Sequence, residues 1–176
     1  DPIVMPIPAN LAENPAAEPM LEQALLLDAL TPLVKLWMLR MFILLGGHRG
    51  FVHQHGFHHE LIAQQLGFEQ DWINQDYQEA AALSRLRQLY QDAEVGNLQQ
   101  PAPLPPELAQ NVAHLAELVG LSALEAQLLA FAALLHTERS LDDAADYLGL
   151  LTSAKTAQVL SVILNVPHTA VRAALD

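Results

Sequence analysis

Apolar residues recur through the chain at the three- and four-residue spacing of amphipathic helices. The strongest signal covers residues 32–45, a run that is apolar on nearly every face and is therefore expected at the centre of the molecule. Thr31 supplies a capping hydroxyl and Pro32 a good first-turn residue, so the helix is predicted to begin at Pro32. Gly46 and Gly47 are predicted to end it.

Three further helices are predicted in the first half of the chain. The first covers residues 19–30 and begins at a proline. A short one covers residues 58–66 and ends at Gly67, and a long one covers residues 71–92 with Asp71 as its cap. Residues 46–57, between the helices at 32–45 and 58–66, form a loop rich in glycine and histidine.

The second half has the clearest helix boundaries. One predicted helix ends at Gly120 and carries an apolar stripe of Leu108, Val112, Leu115 and Val119. The next begins with a capping box formed by Ser122 and Glu125. Three more begin with Ser140, with Thr152 or Ser153, and near Pro167. No segment shows strand alternation, so we predict an all-α fold, with helix-turn-helix-like or winged-helix-like elements in its second half.

Proline and polar residues divide the chain into four parts. Residues 1–19 are a Pro-rich extended arm, because proline at this density prevents a regular helix. Residues 96–106 are a Pro-rich linker. The linker separates helical subdomain 1, residues 20–95, from helical subdomain 2, residues 107–176.

The composition favours a protein that binds other polypeptides. Hydrophobic residues make up 52% of the chain and charged residues only 16%, against about a quarter in typical soluble domains, so a partner or a longer chain is expected to cover apolar surface. Because the chain begins with Asp1, we interpret it as a fragment. The formal net charge of -12 opposes broad nucleic-acid binding. No signal peptide or bilayer-length apolar segment is present, so we expect no membrane partner.

No complete catalytic or cofactor-binding set is recognisable. The chain contains no GxxxxGK[ST] phosphate loop, no GxSxG nucleophile motif and no cysteine. The carboxylates of Asp142, Asp143 and Asp146 are better explained by helix capping and solvation than by paired acid–base catalysis. We therefore expect no catalytic residue and no cofactor in this fragment.

Five histidines fall within residues 48–59 and suggest a metal site as an alternative. Imidazole suits zinc, nickel and copper, and the candidate ligands are His53, His55, His58 and His59. The spacing does not match HExxH, and no cysteine completes a structural zinc site. The competing interpretation is a polar loop with one or two helix-capping histidines.

Two other sets of residues could contact a partner. Residues 160–171 match a helix-turn-helix pattern, and a DNA-reading helix there would present His168, Thr169 and Arg172. The local charge of residues 150–176 is only slightly positive, which disfavours that function. If the chain has a protein-binding groove, Trp72 and Tyr90 are the aromatic anchors we would expect, although core packing is the better explanation for either.

Several segments resemble the helical region that precedes the ATPase module in a group of bacterial AAA+ ATPases. They are residues 30–49, 55–57 and 61–67, and then residues 119–136, 160–164 and 171–175. The resemblance implies a cytoplasmic ATPase that remodels or unfolds proteins, with this piece as its N-terminal substrate- or adaptor-recognition domain. ATP and Mg would belong to the parent protein, and the partners would be a protein client or adaptor and the chain's own ATPase module. The resemblance provides no catalytic residue for this chain, and a homo-oligomer stays open.

Overall fold

The computed structural model describes residues 29–69, 72–73 and 75–176. Within these residues it confirms the all-α prediction, because regular secondary structure is helical apart from a single isolated bridge between Val52 and Phe57. The helices whose bounds are described are α1 (Pro32–Ile43), α2 (His48–Phe51), α3 (Glu60–Gln65), α4 (Glu79–Gln99), α5 (Pro106–Val119), α6 (Ala123–Thr137), α7 (Arg139–Asp146), α8 (Ser153–Leu164) and α9 (His168–Leu175). The predicted Pro-rich arm, all but the end of the predicted helix at 19–30 and the predicted cap Asp71 lie outside the described residues.

Helix α1 occupies the centre, as its apolar pattern predicts. The Thr31 hydroxyl accepts a hydrogen bond from the Val34 amide at 3.4 Å, and Pro32 fills the first turn. Helices α2, α4, α7 and α8 all pack against α1. Its side chains from Leu36 to Phe42 are buried without interruption.

Arg40 is a buried cation within this apolar helix. Its Nε donates to Glu94 Oε1 at 2.6 Å, and its Nη1 donates to the backbone carbonyl of Ile163 at 2.6 Å. A buried charge is tolerated only when it is paired and its donors are satisfied. Arg40 therefore joins α1 to α4 and α8 through groups that the helical pattern does not reveal.

The predicted long helix is displaced towards the C-terminus. Residues 75–78 are not helical, and α4 begins at Glu79, after the extended Gln78. At the other end α4 continues through Gly96 to Gln99, so the first four residues of the predicted linker are helical. Pro101 ends the helix, because a residue that precedes proline is forced out of the α region, and Gln100 is extended.

The segments before and after residues 100–105, the non-helical part of the predicted linker, share one buried core. Side chains from α1 and α4 share one cluster with Phe131, Leu141 and Ile163 from the second half. Trp37 of α1 meets Phe131 of α6 edge-on, with ring centroids 5.2 Å apart. The division into two helical subdomains stays a prediction.

Local signals in the second half are confirmed at most helix ends. Gly120 ends α5 in a left-handed conformation, Ser122 and Glu125 form the capping box of α6, and Thr152 caps α8. Ser140 does not cap α7 as predicted, because the helix already begins at Arg139; the Ser140 hydroxyl donates to Gln65 Oε1 at 2.6 Å.

The helices of the described segments include none with the length and apolarity needed to cross a bilayer.

Candidate functional site

A largely apolar groove lies where the N-terminal end of α1 meets the C-terminal half of α4. It encloses about 700 Å³, and residues 100–103 form its third wall. The apolar lining comes mainly from Leu30, Pro32, Leu36, Leu89, Ala93 and Pro101. We call this feature the α1–α4 groove.

Charged groups in the α1–α4 groove are few. Lys35 and Asp92 line it, and Asp92 accepts a hydrogen bond from the Gln88 side chain at 2.9 Å. The polar residues Asn97 and Gln100 also line the groove. The rest of the lining is apolar, which suits apolar side chains of a polypeptide.

The walls of the groove are held in place by specific contacts. The Asn97 side chain accepts a hydrogen bond from the Ala102 amide at 3.0 Å, which fixes the course of the chain after α4. Leu104 then packs against the core. The Arg40–Glu94 pair fixes the separation of α1 and α4. These contacts therefore fix the positions of the groove walls.

The two predicted aromatic anchors do not line the α1–α4 groove. Trp72 is half-buried and stacks on Phe68, with ring centroids 5.4 Å apart. Tyr90 is half-buried on α4 and packs against the core; burial raises the pKa of its phenol, the Glu94 carboxylate raises it further, and Arg40 lowers it. Both rings contribute to packing, so their role as anchors stays a prediction.

The candidate metal ligands make other hydrogen bonds, although the His53 and His58 rings stack on each other with centroids 5.4 Å apart. His53 Nε2 donates to the Gly50 carbonyl at 2.7 Å, and His58 Nδ1 hydrogen-bonds to the Tyr147 hydroxyl at 2.6 Å. His55 is exposed. Among the described residues, no three His, Asp or Glu side chains are grouped so that they could hold a metal ion.

His59 caps α3, as the competing interpretation of the histidine loop predicts. Its Nδ1 accepts a hydrogen bond from the Ile62 amide at 3.3 Å. The proton of the neutral ring therefore lies on Nε2, which donates to Asp143 Oδ2 at 3.0 Å. One imidazole thus ends a helix and joins it to α7.

Residues on one face of α7 connect it to the α3 region. Ser140, Asp143 and Tyr147 are three and four residues apart, and they bond to Gln65, His59 and His58, respectively. Gly50 lies against the Tyr147 ring, so closely that an added Cβ would come within 2.8 Å of it. Sequence reasoning missed these contacts, since the partners are at least 75 residues apart.

The predicted DNA-reading residues lie on α9. Helices α8 and α9 pack together across a tight turn in which Asn165 has a positive φ of 51°. His168, Thr169 and Arg172 are exposed, while Val171 is fully buried. The helix-turn-helix and DNA-reading interpretations of these residues stay predictions.

Comparison with known proteins identifies no relative: no protein-family model, no curated protein and no solved structure matches the chain. The resemblance to AAA+ N-terminal regions therefore stays a prediction from sequence.

Proposed function

We propose that this chain is a non-catalytic recognition domain whose α1–α4 groove binds an apolar segment of another polypeptide. The observation that supports the proposal most directly is the groove itself, with its apolar lining and fixed walls. An apolar segment would place two or three side chains in the groove, and an acidic residue beside them could pair with Lys35.

The resemblance extends the proposal to a larger protein. In an AAA+ ATPase, the groove would select the client or adaptor, and a separate module would hydrolyse ATP. The first check is the reading frame downstream of Asp176: a GxxxxGK[ST] loop there supports the extension, and a stop codon removes it.

The groove can be tested with a matched pair of substitutions on α4. Ala93 lines the groove and is half-buried, so Ala93→Arg is expected to fill it. Val95 is exposed on the same helix and does not line the groove, so Val95→Arg is the control. Both variants are first compared with the unsubstituted protein by circular dichroism and thermal unfolding.

The binding measurement is a selection of random peptides displayed on phage. We expect the unsubstituted protein and Val95→Arg to enrich the same apolar peptides, and Ala93→Arg to enrich none of them. Equal enrichment by a folded Ala93→Arg variant would show that peptides do not bind in the groove.

A DNA-binding function is the second candidate, because His168, Thr169 and Arg172 are exposed together on α9, the second of two packed helices joined by a tight turn. It requires salt-dependent binding of duplex DNA that is lost on Arg172→Ala. Fluorescence polarisation with a labelled duplex measures this, and binding that Arg172→Ala leaves unchanged would exclude α9 as the reading helix.

A further inference from the structure

Acidic residues are absent from two long stretches of this acidic chain. Residues 29–59 and residues 147–175 contain no Asp or Glu, although the chain has 20 acidic residues and a net charge of -12. The first stretch covers α1, α2 and the histidine loop, and the second covers α8 and α9. Local charge in both stretches is therefore positive.

The fold brings these two stretches together at the C-terminal end of α1. A depression of about 440 Å³ lies there between the α1–α2 connection and the N-terminal half of α8. Its lining includes His48 and Arg49 from the first stretch and Lys155 from the second, and no carboxylate is among the lining residues that the structure describes. We call this feature the basic pocket.

The cations of the basic pocket are not neutralised within the described part of the chain. The ion pairs found there join Arg40 to Glu94 and His59 to Asp143, so neither Arg49 nor Lys155 is paired with a carboxylate. Both side chains are exposed.

Apolar side chains surround these charges. Leu44 and Leu151 line the pocket and are 49% and 40% exposed, and Leu150, next along the chain, is 99% exposed. His48 Nδ1 donates to the Phe42 carbonyl at 2.7 Å. This hydrogen bond holds the imidazole at the edge of the pocket and does not involve its other nitrogen, Nε2. A ligand would therefore meet positive charge and exposed leucine at the same place.

We propose that the basic pocket binds a short polypeptide segment in which carboxylates alternate with apolar side chains. The carboxylates pair with Arg49 and Lys155, and the apolar side chains cover Leu44 and Leu151. The net charge of -12 argues for a short segment rather than an extended polyanion, because a membrane or a nucleic acid would also meet the acidic remainder of the surface. The same net charge argues against a second copy of the chain as the occupant, because the two copies would repel each other.

The basic pocket is separate from the α1–α4 groove. The two share no lining residue, and they lie at opposite ends of α1, a helix of 12 residues. The basic pocket therefore does not depend on the proposed function of the groove, and substitutions can distinguish the two sites.

The test uses a rhodamine-labelled peptide of sequence LDLLDL, and fluorescence anisotropy measures its binding. The control peptide, LNLLNL, has the same shape and replaces the two side-chain carboxylates by neutral amides. We expect Arg49→Gln and Lys155→Gln each to weaken LDLLDL binding by about two- to fivefold, the range for single exposed ion pairs, and the double variant by about tenfold. Added salt should weaken binding further, because it screens exposed charges.

Two control variants locate the peptide. Arg172→Gln removes an exposed cation outside the pocket, and Ala93→Arg fills the other site, so both should leave LDLLDL binding unchanged.

Four results would overturn the proposal. They are the absence of LDLLDL binding, equal binding of LNLLNL, unchanged binding by the folded double variant, and loss of binding in Ala93→Arg. Binding to phosphatidylserine vesicles that needs Arg49 and Lys155, with none to the peptide, would also overturn it and would indicate a membrane ligand instead.

Discussion

Helices α1 and α5 are both rich in apolar residues, but they differ in how much of them the rest of the protein covers. In α1, Met38, Leu39, Met41 and Phe42 are completely inaccessible to solvent. In α5, Val112 is the buried residue of the helix, and the last turn leaves Leu118 69% exposed. The lengths are similar, with 12 residues in α1 and 14 in α5.

The difference arises from the number of packing partners. At least four helices from both halves of the chain pack against α1, whereas α6, the next helix in sequence, is the main neighbour of α5. An apolar stripe therefore predicts that one face can be buried, and it does not predict how much of that face finds a partner. If this is correct, equivalent substitutions should be costly in α1 and nearly neutral at the end of α5.

Phe42→Ala should produce the largest loss of stability. Phe42 is fully buried and stacks on Phe51, with ring centroids 4.5 Å apart. Removing a buried phenylalanine typically costs about 3–5 kcal/mol, through lost transfer free energy and the cavity that remains. Urea unfolding measures the free energy of unfolding, and a loss below about 1 kcal/mol would show that α1 is not tightly packed.

Arg40→Met should have the next largest effect. The change leaves the buried Ile163 carbonyl without its donor, which costs about 1–3 kcal/mol, and it removes the partner of the half-buried Glu94 carboxylate. Arg85→Met is the control, because Arg85 is exposed on α4 and its loss should change stability by less than about 0.5 kcal/mol. Equal effects of the two variants would contradict a structural role for the Arg40 contacts.

Ser122→Ala should cost about 1 kcal/mol, the usual effect of removing a helix cap. The Ser122 hydroxyl accepts from the Glu125 amide at 3.1 Å, and the Glu125 carboxylate accepts from the Ser122 amide at 2.7 Å. Hydrogen exchange should show faster exchange in the first turn of α6 and little change in α1. Equal acceleration in both helices would show that the α5–α6 hairpin and the centre open together.

Features encoded within a few residues could be predicted from the sequence. The cap at Thr31, the capping box at Ser122 and the left-handed end at Gly120 all depend on neighbouring residues and are confirmed. The end of α4 was predicted wrongly at residue 92, because residues 96–106, which begin with Gly96, were interpreted as a linker. A glycine within a helix costs only about 1 kcal/mol, whereas Pro101 cannot continue it.

Features that depend on distant residues could not be predicted. Arg40 meets Ile163 across 123 positions of the chain, and no periodic pattern encodes that contact. The α1–α4 groove and the basic pocket likewise require the relative placement of separate helices. Periodicity identifies which face of a helix is apolar, while the cavities depend on which faces meet.

Tyr147→Phe tests the contacts of α7 with the histidine loop. It should lower the free energy of unfolding by about 0.5–1 kcal/mol near neutral pH, because it removes the hydrogen bond to His58. Burial, followed by Asp143 and Asp146, raises the pKa of Tyr147 above its usual value of 10.0. Above about pH 10 the unfolded chain loses the Tyr147 hydroxyl proton before the folded protein does. The stability that Tyr147 contributes in its protonated form is therefore lost as pH rises.

The variant should therefore lose less stability than the unsubstituted protein between about pH 9 and pH 11. The free energy of unfolding of the variant should still fall in part, because the pKa values of Tyr77 and Tyr90 are also raised. Urea unfolding at the two pH values measures both effects. An identical decline in the variant would show that Tyr147 ionises equally easily in the folded and unfolded states.

Leu118→Ser should have the smallest effect, less than about 0.5 kcal/mol, because the side chain is already mostly in water. Val112→Ser is the matched control: Val112 is buried on the same helix, and burying a valine side chain contributes about 1.5–3 kcal/mol. The pair compares two positions of α5 that differ chiefly in burial. Comparable losses for the two variants would mean that the exposed end of α5 is covered in solution, for example by self-association, and sedimentation at several protein concentrations would detect it.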